Sequence, residues 1–278
     1  MKEVSIRRIL VALDASSSCV EGLKIAAEMA ARLGAELAGV FIEDIDLIRA
    51  VEFPFTRECG YFGAEVRRVE PHQLEEQLRA QAGRMRKILE AIATQRQLNW
   101  NFTIIRGSVA RELLSLGTDA DLIIMGRSGR SLLGSKRLGS TVKEVITRRS
   151  GLTLILHQKT AKPDHPMVIY DGTPSALKAL DAVTVFLTDD EMEVCVFLLA
   201  DTKEQAQKYR KAVDDAMGPA GRRVKFRLLI SSDPAVIAHF ANLESSGPLL
   251  LPGERWRTKA EELIELVKAL DGPVLVVK

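Results

Sequence analysis

Cysteine is scarce in this chain, and Cys19, Cys59 and Cys195 form neither a CxxC pair nor a Cys/His cluster. That argues against a disulfide framework and against a thiolate zinc site. Reduced thiols in a cytoplasmic protein are the expectation. Histidine is equally thin. His72, His157, His165 and His239 are scattered, which leaves no Ser/His/Asp set for nucleophilic catalysis. No apolar run approaches the roughly 20 residues that span a bilayer. The opening MKEVSIRRILVALD holds only a short apolar stretch ending in Asp14, so it does not read as a signal peptide. An excess of one charge is missing too: 39 Lys and Arg stand against 37 Asp and Glu, a balance of +2 that argues against a dedicated nucleic-acid binder.

What is present is ample apolar material, 46% of 278 residues, enough for two domains of about 100–150 residues each. The chain opens as a βαβ unit. IRRILVAL is a strand with Asp14 at its end, and Val20 to Leu33 is an amphipathic helix closed by Gly34. AELAGVFI, residues 35–42, is the second strand. That rhythm implies a parallel α/β sheet with helices on both faces. Asp14 sits where open α/β sheets bind ligands. It suits two roles, accepting from an amino group or a metal-bound water, and capping the helix that follows.

Residues 43–73 read as irregular, and they hold Phe53, Phe55, Tyr61 and Phe62 in a chain only 5% aromatic. The stretch is read either as a surface over a ligand or partner, or as aromatics that fold back locally. A long helix follows over 74–98, then a strand over 100–105, a helix to Leu116 and a strand over 120–125.

That last strand delivers the most informative segment, IIMGRSGRSLLGSKRLGSTVKEVI. Gly126 and Gly129 break the strand, nine residues separate Gly129 from Gly139, and Ser140 and Thr141 open a helix with Val142, Val145 and Ile146 on its apolar face. Glycines let backbone N–H groups approach an anion, and a helix start supplies unpaired donors. Arg127, Arg130, Lys136 and Arg137 lie within the loop and no acid does. The segment reads as an anion cradle; the plainer alternative is a basic loop whose glycines only make turns. It is not a P-loop, because Ser135 stands where that motif requires lysine. Residues 1–160 carry 24 Lys and Arg against 19 acids, and the remainder 15 against 18, so the positive half is the one with the cradle.

LTLIL closes the first sheet at residues 152–156, and a polar linker with two prolines follows at 158–166. The pattern then begins again. MVIYDGTPSALKAL repeats ILVALDASSSCVEGL, setting Asp171 against Asp14, and Asp233 answers Ser108. Asp14 to Ser108 spans 94 positions and Asp171 to Asp233 spans 62, so the first copy carries 32 more residues. LLLPG answers IIMG, but no Gly-Ser pair follows Gly253, and Glu254 would repel an anion. The expected domains are 1–158, with a glycine loop, and 166–278, where that loop is lost.

Gly126-x2-Gly129-x9-Gly139-Ser140, entered from a strand ending in Met125 and joined by VALDAS at the first strand, resembles the nucleotide signature of the universal stress protein family. The resemblance covers nearly the whole chain as a tandem pair. It implies two five-stranded parallel sheets of adenine-nucleotide-hydrolase-like type, with ATP and magnesium at the strand ends. By that carry-over the nucleotide site is Asp14, Val40, Met125, Gly126, Gly129, Gly139, Ser140 and Thr141. Arg127 joins it by position, to neutralise charge. The family also implies a regulatory module in stress response, with at most slow ATP hydrolysis. The final strands, 152–156 and 274–277, are expected to pair as a pseudo-dimer within the chain, and the surface is open to a homodimer or a protein partner. An interaction scaffold using residues 44–73, with no nucleotide, is the competing reading. Ala15 in place of a glycine, and the missing proline before the closing strand, are the departures.

Overall fold

The computed structural model describes residues 5–14, 16–52, 57–59, 66–68, 71–127, 138–157, 165–187, 193–217, 223–244 and 247–278. Gly129, the four aromatics Phe53, Phe55, Tyr61 and Phe62, Ala15 and most of the linker lie outside them.

The first half holds β1 (Arg8–Leu13), α1 (Ser17–Leu33), β2 (Glu36–Asp44), α2 (Ile45–Glu52), β3 (Arg57–Cys59), β4 (Val66–Arg68), α3 (Pro71–Gln95), β5 (Trp100–Gly107), α4 (Val109–Leu116), β6 (Leu122–Gly126), α5 (Ser140–Arg148) and β7 (Leu152–Leu156). The second holds β8 (Met167–Tyr170), α6 (Pro174–Ala182), β9 (Val194–Leu199), α7 (Lys203–Met217), β10 (Val224–Leu229), α8 (Pro234–Glu244), β11 (Leu249–Pro252), α9 (Ala260–Ala269) and β12 (Val274–Val277). Local chemistry sets the ends. Ser16 caps α1 by accepting from the Cys19 amide, and Gly34 closes it at φ +64°, where a Cβ would be strained.

In the first half the strands run β5-β2-β1-β6-β7, and in the second β10-β9-β8-β11-β12. Within each half all neighbours are parallel. The closing strands then meet antiparallel, with Leu154 opposite Leu275 and Leu152 opposite Val277, so the halves share one ten-stranded sheet. Near-continuous burial along β6, β7, β8, β9, β11 and β12 fits strands covered on both faces. One core lies under α1, α3, α6 and α7 around Leu23, Leu78, Leu180 and Val213. The other lies under α4, α5, α8 and α9 around Leu113, Val145, Ile237 and Leu266. Each core runs across both halves.

The stretch read as irregular is more ordered than expected. β2 continues two residues past Ile42 because β5 pairs it as far as Asp44 opposite Gly107. IDLIRAVE then forms α2, and β3 and β4 make a small antiparallel pair. Alternating acids and apolar residues in this stretch conceal a helical repeat of eight residues, about two turns, which is too short to register as periodicity.

Arg149 staples the first half. It is buried, and its guanidinium donates to the carbonyls of Leu152 (2.8 Å), Gly117 (3.1 Å) and Ala120 (2.6 Å), fixing the end of α5 to the entries of β6 and β7. Arg149→Met strands three carbonyls and should lower unfolding free energy by about 2–4 kcal/mol; an unchanged urea midpoint would contradict this. One sheet with shared cores also predicts one unfolding transition. Trp100 lies in the first half and Trp256 in the second, so each single-tryptophan variant should give fluorescence and far-UV circular dichroism curves that coincide. Two separated midpoints would show that the halves unfold independently.

Candidate functional site

The strands of the first half end at one edge, and the strand order switches sides at β1, with β2 and β5 to one side and β6 and β7 to the other. A cavity of ≈ 530 Å³ opens there, within the size range of small-molecule sites. Its floor is Ala12 to Asp14 from β1, Val40 to Ile42 and Asp44 from β2, and Met125 and Gly126 from β6. Leu47 of α2 and Val109 and Leu113 of α4 add apolar wall, and Leu138 to Val142 close the far side.

Gly126 leaves its part of the floor open, since a Cβ built there meets no described residue within 4 Å. The α5 N-terminus faces the same space. Gly139 is its N-cap, no side chain caps it, and its first turn carries no acid. Its first bonds inside the helix begin with Lys143 N–H donating to the Gly139 carbonyl at 3.1 Å. Among the described residues the amides of Ser140, Thr141 and Val142 are the unspent donors of a helix start, beside two hydroxyls and at the positive end of the helix dipole. A helix start of this kind is suited to an anion.

Asp14 lines the cavity, and its Oδ1 accepts from Ser16, from the backbone amide at 3.0 Å and from the hydroxyl. The helix cap proposed for Asp14 thus belongs to Ser16, and Asp14 braces that cap from the pocket side. Beneath it Asp14 N–H donates to Cys19 Sγ at 3.3 Å. Burial, reinforced by the Asp14 charge, pushes the Cys19 thiol up to about 12, so it stays protonated and has no thiolate reactivity.

The cavity thus brings together Asp14, Val40, Met125, Gly126, Gly139, Ser140 and Thr141. Gly129 falls outside the described residues. Arg127 is the correction. Its side chain is absent from the described lining and buried at 6% exposure. The guanidinium crosses to the second half, donating to the Leu270 carbonyl at 2.5 Å and to the Lys268 carbonyl. Position beside the cradle suggested charge neutralisation, but the end of β6 turns this side chain toward carbonyls that only the assembled sheet supplies.

Asp44 was missed. An acid ends β2 as Asp14 ends β1, and FIED carried that signal, but ending the strand at Ile42 hid it. Asp44 Oδ1 accepts from Asp46 N–H at 3.0 Å, starting α2, while the residue lines the cavity. Next to it Glu43 is buried and paired with Arg106 at 3.0 Å, and Arg106 also reaches Glu75 of α3 at 3.0 Å.

The matching edge of the second half is filled. A Cβ on Gly253 would meet Lys278 Cγ at 2.4 Å, and Trp256 is buried at 2% exposure where the chain turns toward α9. Asp171 accepts from Thr173, at 3.1 Å from the amide and 2.6 Å from the hydroxyl, and Arg255 lies 3.8 Å from its other oxygen. Glu261 and Glu262 occupy the first turn of α9.

A search of curated proteins finds no match. Among solved structures, a universal stress protein from Archaeoglobus fulgidus DSM 4304 superposes with a TM-score of 0.69 at 13% identity, covering 99% of this chain and 97% of that one. A putative universal stress protein from Pseudomonas aeruginosa UCBPP-PA14 gives 0.59 at 15% identity, over 99% and 94%. A functionally unknown protein from Pseudomonas aeruginosa PAO1 gives 0.56 at 13%, over 99% and 93%. These likenesses show a shared fold along the whole chain. The model of the universal stress protein family matches residues 5–150, more than half of the 278, and with that match the chain belongs to the universal stress protein family.

Proposed function

We propose that the first half binds ATP together with magnesium and acts as a nucleotide-responsive regulatory module in stress adaptation. The observation that carries this reading is the uncapped α5 N-terminus facing a cavity whose floor, at Gly126, is left open. Phosphates fit the donor end at Gly126, Gly139, Ser140 and Thr141, with Gly129 assigned from the signature spacing. A base and ribose fit the apolar end beside Val40 and Met125, within reach of the Asp14 carboxylate. Magnesium commonly keeps its waters and takes one or two carboxylates beside nucleotide phosphates, and Asp14 and Asp44 are oxygen donors of that kind. When bound, the ion would offset phosphate charge near those acids.

The described lining offers carboxylates, hydroxyls and main-chain amides, but no histidine and no thiol. Hydrolysis by such groups would rest on positioning and charge alone and is expected to be at most slow. The domain reading follows from the same contrast. Residues 1–158 form the nucleotide-binding domain, and residues 166–278 form a second domain of like strand order whose matching edge Trp256 and Arg255 have filled.

Denaturing the purified protein and analysing released nucleotide, then titrating ATP into emptied protein with and without magnesium, tests this. About one ATP per chain is expected. Gly126→Val should abolish binding while leaving the melting temperature within a few degrees, because its side chain enters only open cavity. Ser140→Ala should weaken binding by about tenfold, the scale of one hydrogen bond to a charged group. No released nucleotide and no heat of binding would overturn the proposal.

A further inference from the structure

Arg127 stands at the root of the glycine loop but spends its charge elsewhere. Two main-chain bonds meet at it. Its N–H donates to the Leu156 carbonyl at 3.0 Å, and its carbonyl accepts from Gly139 N–H at 3.0 Å, tying the two ends of the loop together. Its guanidinium holds the Leu270 and Lys268 carbonyls at the C-terminal end of α9. A helix C-terminus presents unpaired carbonyls at the negative end of its dipole, so a buried guanidinium is held there by charge-assisted bonds. Burial lowers the pKa of Arg127, and the Asp271 charge opposes that shift, so the side chain stays cationic at neutral pH.

The opposite crossing uses a different residue. Glu254 holds the position after Gly253 that Arg127 holds after Gly126, and a carboxylate cannot donate to a carbonyl. The C-terminal end of α5 is reached instead by Lys278, whose Nζ donates to the Thr147 carbonyl at 2.7 Å. A third cation crosses elsewhere, Arg32 of α1 donating to the Leu187 carbonyl at 3.2 Å and to the Val185 carbonyl. Among the described residues, of these three crossings only that of Arg127 is also bonded to the wall of the open cavity.

We infer that Arg127 is a positioning residue, through which α9 of the second half holds the cavity wall at Gly126 and Gly139 in the geometry that receives phosphates. The second half, closed to ligand itself, thereby serves as a brace for the site in the first, and the nucleotide affinity of one half depends on the α9 end of the other. This rests on the nucleotide reading above for the ligand, but not for the brace, which acts in the empty protein.

The test compares Arg127→Met, Arg127→Lys and Val196→Ala in the full chain. Val196 is buried in β9, far along the sheet, and its truncation lowers stability without touching the loop root. Hydrogen exchange in nucleotide-free protein reads the Gly139 amide, bonded across this root to the Arg127 carbonyl, and the Lys143 amide, bonded to the Gly139 carbonyl where α5 begins. Arg127→Met should speed their exchange at least tenfold beyond Val196→Ala, and Arg127→Lys, which keeps the charge but not the fork, should fall between. ATP titration should show about a tenfold loss of affinity in Arg127→Met, partly restored in Arg127→Lys, with Val196→Ala near wild type. Should Arg127→Met not fold, Arg127→Lys against Val196→Ala carries the same comparison. Exchange in the Arg127 variants no faster than in Val196→Ala would overturn the inference. If the unaltered protein binds no ATP, the nucleotide reading falls, and the exchange result alone decides the brace.

Discussion

An open parallel sheet whose last strand is apolar on both faces ends in a row of unpaired amides and carbonyls that invites another strand. β7 and β12 are both such strands, and each is buried along its length only because the other lies against it. Their antiparallel pairing removes two exposed edges and runs each core from one half into the other. It also brings the ends of α5 and α9 to the same seam, within reach of Lys278 and Arg127. The contacts between the halves described above follow from this one pairing.

Within that frame the two halves differ at one edge. In the first, 13 residues separate β6 from α5, and among the described residues no side chain caps the start of α5 beside the cavity at Gly126. In the second, the chain turns quickly from β11 into α9, and the shorter path carries Trp256 into the core. A large buried ring both adds apolar burial and occupies volume. The same strand order therefore frames an open edge in one half and a packed one in the other.

The nine residues named for the site illustrate what patterning conveys. Asp14, Val40, Met125, Gly126, Gly139, Ser140 and Thr141 converge because strand ends and a helix start are local features, readable from apolar runs and the glycines that break them. Asp44 escaped because β2 continues only where β5 pairs it, which is not a property of the β2 segment itself. Arg127 was misread for a related reason. Its neighbours in sequence are a phosphate-type loop, while its neighbours in space are carbonyls 141 and 143 positions away.

Taken alone, the sequence determined the alternation of strand and helix, the glycine spacing after Met125 and the absence of that spacing after Gly253. These follow from periodicity and from residues whose backbone freedom is intrinsic. Tertiary structure alone decided that α5 begins uncapped over open space, that Trp256 and Arg255 fill the matching edge, and that Arg127 leaves the cavity for the seam. A buried guanidinium goes where carbonyls are unpaired, and those carbonyls come within its reach only once β7 and β12 have met.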